Sequence, residues 1–132
     1  MNTFASSFIE NMGDGTFTVT QLPNEAQMSS VNTIIVDDYN GDGNLDAFVA
    51  GNFYVSEVET PRNDAGTGLV LFGEGDRSFH SIPANKKGVL ASYDTRAAAA
   101  LKTNEGQIII LGNNNEKLRL LKINKKQQQL FC

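Results

Sequence analysis

With 132 residues and 40% hydrophobic content, the chain is long enough for one domain with its own core. Its net charge of −4 does not favour nucleic acid, whose phosphates want a basic face, and no apolar run reaches the length of a membrane-spanning helix. Abundant glycine, a phenylalanine-rich aromatic set and no tryptophan suit an all-β protein of antiparallel strands joined by tight turns.

The first residues, Met1-Asn2-Thr3-Phe4, lack the basic start and apolar stretch of a signal peptide. Residues 4–10 and 17–21 read as the two strands of a hairpin around Asn11-Met12-Gly13-Asp14-Gly15. Gly13-Asp14-Gly15 is taken as a turn and not as a metal site, because no further carboxylates follow it. Residues 24–30 form a polar connection with room for one helical turn.

A strand over 31–36 then leads into Asp38-Tyr39-Asn40-Gly41-Asp42-Gly43-Asn44-Leu45-Asp46, which reads D-x-N-x-D-G-x-x-D. Calcium takes six to eight oxygen ligands, and this spacing offers them: the side chains of Asp38, Asn40, Asp42 and Asp46, with a backbone carbonyl at Asn44. Gly43 permits the sharp reversal that lets a short loop wrap an ion. A plain hairpin turn needs only Asn-Gly or Asp-Gly, and three crowded aspartates repel one another unless a cation offsets them. The loop is not an EF-hand: position twelve counted from Asp38 is Val49, which cannot ligate, and both flanks are strand formers.

The second strand covers 46–52. Residues 53–67 make a long excursion, of the kind that often carries function, and its Tyr54, Glu57, Glu59 and Arg62 are the candidate partner-contact residues. Strands at 68–72 and 77–82 flank the turn 73–76. His80, the single histidine, has no visible partner at zinc or triad spacing. After the loop 84–94, the alanine-rich 96–102 has helical propensity but precedes the strongly β run 107–112, and is read as a strand. A last strand covers 116–123. The tail 125–132 is polar, with 125–129 read as disordered, and Cys132, the lone cysteine, is read as an exposed thiol.

The segment VNTIIVDDYNGDGNLDAFVAGN resembles the FG-GAP (VCBS-type) repeat of bacterial secreted proteins and of the integrin-α β-propeller. The resemblance implies that the loop joins the first two strands of a propeller blade and holds calcium on one face of the ring. NMGDGTFTVTQLP is similar to the end of such a repeat, between its third and fourth strands. A single all-β repeat domain over 1–124 follows, with a half blade at 1–22, a full blade at 31–83 and a partial blade at 94–124.

About nine strands make roughly two blades, whereas a propeller closes with four to eight. The expectation is an incomplete propeller that closes by head-to-tail homo-oligomerisation, one chain's hairpin completing its neighbour's last blade. A trimer is favoured over a dimer or tetramer, and a small β-sandwich or barrel is the alternative fold. The implied function is a non-catalytic, calcium-stabilised module for surface recognition or scaffolding, with a protein or carbohydrate ligand. The alternatives are a carbohydrate-active enzyme fragment using Glu57 and Glu59 as acid and base, or a propeller fragment whose one property is self-assembly. Members of the family mostly work outside the cytoplasm.

Overall fold

The structure, a computed structural model, describes residues 4–52, 68–83, 93–124 and 129–131. Within them the chain is all-β, with ten strands in three antiparallel sheets that do not close into a barrel. β1 (Ser7–Asn11) and β2 (Phe17–Gln21) form a hairpin, and a single 3-10 turn at Asn24–Gln27 leads away from it. β3 (Thr33–Asp37), β4 (Asp46–Ala50), β5 (Leu69–Gly73) and β6 (Phe79–Pro83) make a four-stranded meander. β7 (Thr95–Thr103), β8 (Gly106–Asn113), β9 (Arg119–Asn124) and β10 (Gln129–Phe131) make a second one.

The central sheet, β3 to β6, is apolar on both faces because it is covered on both. Alternate residues of a strand point to opposite sides. On one side Phe48, Ala50, Val70 and Phe72 pack with Ile109, Leu111, Leu121 and Ile123 of the second meander, and Tyr39 closes that core. On the other side Val49, Leu69 and Leu71 pack with Ala26 of the 3-10 turn, with Leu22 and Phe79 at its edge. The hairpin adds to this second face through an edge-on Phe8–Phe79 contact, ring centroids 5.2 Å apart, and a Glu10–Arg77 ion pair at 2.7 Å. The order of layers is therefore hairpin, central sheet, second sheet.

β3 and β7 lie beside one another at the junction of the two meanders. Asn32, just before β3, donates its Nδ2 to the Thr95 carbonyl at the start of β7, 2.9 Å away. At the other end Gln107 Nε2 donates to Asp37 Oδ2 at 3.0 Å, and Gln107 is the neighbour of Lys102 near the end of β7. Starts meet starts and ends meet ends, so β3 and β7 run in the same direction.

The alanine run is a strand, as expected. Its register explains why: Ala98, Ala99 and Ala100 face Leu111, Ile110 and Ile109, and a partner run rich in β-branched isoleucine outweighs the helical preference of alanine. The tail needs correction. Gln129–Phe131 pairs antiparallel with β9, Leu130 opposite Ile123, so its apolar end gains a sheet edge that the preceding glutamines conceal in the sequence. Ten strands replace the expected nine. The fourth place in the last sheet, where a neighbour's hairpin was expected to insert, is taken by β10.

Candidate functional site

The acidic loop runs from the last cross-strand pair of β3 and β4, Asp37 with Asp46, and its own side chains build it. Asp38 accepts from the Gly41 amide on Oδ1 at 2.6 Å and from the Gly43 amide on Oδ2 at 3.0 Å. Asn40 Oδ1 accepts from the Asp42 amide at 3.0 Å, while its Nδ2 donates to Asp42 Oδ2 at 2.8 Å. Asp42 Oδ1 in turn accepts from the Asn44 amide at 2.7 Å. Gly43 sits at φ +88° with open space where a side chain would begin, so the dihedral alone, and not crowding, requires glycine there.

Asp46 differs from the others. It is fully buried, its Oδ2 accepting from the Tyr39 amide at 2.8 Å and its Oδ1 from the Gly73 amide at 3.0 Å. One carboxylate therefore ties the start of the loop to the end of β5, 27 residues away. The approach is close: a Cβ built on Gly73 would lie 2.4 Å from the Leu45 carbonyl oxygen, a contact only glycine tolerates.

The electrostatics follow these contacts. The Asn44 amide, with the Asn40 side chain behind it, holds the Asp42 carboxyl below the usual carboxylate range. Burial pushes the Tyr39 phenol upward, with the Asp37 and Asp46 charges adding to it, and its hydroxyl donates to the Ile35 carbonyl at 3.2 Å. The donor set is all oxygen and suits a hard cation in kind. Among the described residues no three Asp, Glu, His or Cys side chains are grouped to hold a metal ion, because the loop carboxylates turn onto backbone amides. Each ionised carboxylate has about four lone-pair sites, of which Asp38 and Asp46 each use two in this arrangement.

Asp38, Asn40, Asp42 and Asn44 thus form one rim, Asp42 exposed and the other three half-buried, with Asp46 as the buried anchor of the loop. Tyr54, Glu57, Glu59 and Arg62 lie outside the described residues. His80 has a partner that the linear sequence did not suggest: its Nδ1 meets Glu74 Oε1, and its ring stacks on Phe72 at 5.2 Å. The hairpin register, which sets Phe72 opposite His80 and puts Glu74 just past the strand end, is the signal that could have shown it. The Gly13-Asp14-Gly15 segment is a turn, Asp14 Oδ1 accepting from the Thr16 amide and hydroxyl at 2.9 and 2.5 Å.

Comparisons with protein-family models, with curated proteins and with solved structures each gave no match. Among the described residues no helix is long and apolar enough to cross a membrane.

Proposed function

We propose that the chain is a non-catalytic calcium-binding module built of propeller-blade-like sheets, serving surface recognition or scaffolding. One observation carries the reading: the rim of Asp38, Asn40 and Asp42 stands on a buried carboxylate that also grips the next hairpin through Gly73. A cation drawn to that rim would stiffen two strand connections at once. Asp38, Asn40, Asp42 and Asp46 would supply side-chain oxygens, and Asn44 a carbonyl. The sequence resemblance to FG-GAP repeats supports the same reading, as do two successive four-stranded meanders whose first strands lie side by side in one direction.

Assembly belongs to this proposal. The outer faces of the two end layers expose Ile9, Phe17 and Val19 on the hairpin and Leu101 and Leu120 on the last sheet. Head-to-tail stacking of copies would cover both, and exposed apolar faces favour association.

The test is thermal unfolding at rising calcium. A ligand at a hundred times its Kd stabilises the native state by about 2.7 kcal/mol. The melting temperature should rise with calcium in the native protein and stay flat in Asp42→Ala. An equal rise in both would refute the loop as the site.

A further inference from the structure

The acidic loop is rooted in the junction between the two meanders. Asp37 and Tyr39 flank Asp38, the first residue of the spaced motif. Tyr39 turns its ring into the core that the two sheets share, with its hydroxyl on the Ile35 carbonyl. Asp37, the last residue of β3, is half-buried and uses its two carboxylate oxygens separately. Oδ1 accepts from the Asp38 amide at 2.9 Å, and Oδ2 accepts from Gln107 Nε2 at 3.0 Å. The first ligand position of the loop is thereby held, through Asp37, by a residue of the neighbouring sheet that lies 70 positions along the chain.

Gln107 stands where an apolar side chain would be expected. It is on the face of β8 that also carries Ile109 and Leu111, opposite Ile123 of β9, and it is 7% exposed. Burying an amide costs free energy unless it is hydrogen-bonded, and a hydrocarbon side chain would fill the space without that cost. Among the described residues the side-chain amide has one hydrogen-bond partner, Asp37. That partner fixes its orientation, since an ionised carboxylate only accepts and Nε2 must face it. The first meander gives the contrast. β7 and β8 close on the pair Thr103–Gly106, as β3 and β4 close on Asp37–Asp46, and Gln107 and Ala47 are the next residues on. Ala47 packs beside Val49 and Leu71, whereas Gln107 has a carboxylate to hold.

We infer that Gln107 is a positioning residue for the acidic loop: it fixes Asp37, Asp37 fixes the Asp38 peptide, and the second sheet so pre-orders the first ligand of the cation. The inference rests on the calcium reading of that loop. A loop that is already ordered loses less freedom when it takes an ion, so calcium binds more tightly while the two sheets are docked. Linkage is reciprocal, and bound calcium strengthens the docking of the sheets by the same factor. Charge does not carry the effect, because glutamine is neutral.

The test compares the full chain with Gln107→Leu, which stays close to the original volume and removes the donor. Ile123→Val is the control, since it loosens the core beside Gln107 and removes no bond to Asp37. Calorimetric calcium titration should give a Kd raised roughly fivefold or more in Gln107→Leu and unchanged in Ile123→Val. In an Asp37→Ala background, Gln107→Leu should add nothing. In chelator, the NMR order parameter of the Asp38 amide should fall from about 0.85 to below about 0.6 in Gln107→Leu and hold in Ile123→Val. Three results would each overturn the inference: unchanged or tighter calcium binding by Gln107→Leu, an equal loss in Ile123→Val, or an Asp38 amide as ordered as in the native chain. A native chain that takes no calcium would instead refute the metal reading and with it the effect on affinity. The chelator measurement would still decide whether Gln107 holds Asp38.

Discussion

Asp42 and Asp46 belong to the same spaced motif but do different work, and substitution should separate them. Asp42 is exposed and bonds only within the loop, so Asp42→Ala should change melting little in chelator and remove the response to calcium. Asp46→Ala strands two buried amides, Tyr39 and Gly73, at roughly 1–3 kcal/mol each, and should destabilise the protein with or without calcium. Parallel melts in calcium and in chelator check both. The motif was legible as a string of oxygen donors, because spacing and residue type are written in the sequence. The burial of its last member was not, since that depends on a strand end 27 residues away. Two turn aspartates make a separate prediction. Hydrogen bonds from Thr16 to Asp14, and from Ser78 to Asp76, hold both carboxyls below their ordinary value of 3.8. A depressed folded value means that the stabilisation is complete well above 3.8 and is lost as pH falls through the folded values. The acid limb of the melting profile should flatten in the double variant Asp14→Asn, Asp76→Asn.

At the level of elements, nine strands were readable from β-branched runs between Gly, Asn and Asp turns. Residues 96–102 show what local sequence leaves ambiguous. Their alanines favour a helix locally, and the decision rests with Ile108 to Leu111 across the ladder. β10 went unread because its strand exists only through pairing with β9, Leu130 opposite Ile123, which the glutamine-rich tail does not announce. The packing of the two meanders depends on a few large side chains. Phe48 is fully buried between them, so Phe48→Ala should cost about 3–5 kcal/mol and lower the melting temperature by about 10 °C or more. A calorimetric scan measures it directly.

The whole molecule is a three-layer stack with two apolar ends and one incompletely covered interior face. Single open sheets and uncovered apolar faces favour association. Light scattering on the native chain should show species above the monomer mass, and Leu120→Lys on the last sheet, together with Val19→Lys on the hairpin, should return it to monomer. The surface changes touch neither core cluster, so melting should hold within about 0.5 kcal/mol for each. Composition indicated the all-β class, but which faces meet could not be read from it. Apolar residues occur on both sides of β4 and β5, and only the three-dimensional order of layers shows which side each neighbour takes.

The bond between Gly73 and Asp46 makes one amide proton an internal reporter. The Gly73 hydrogen is shielded only while the acidic loop keeps its fold, yet it belongs to a different hairpin and lies outside the rim that would meet a cation. Its exchange rate is therefore a gauge of loop order, read through the same Asp46 carboxylate that would ligate the ion. Followed across a calcium titration, it separates an ion that merely neutralises the rim from one that locks two hairpins together.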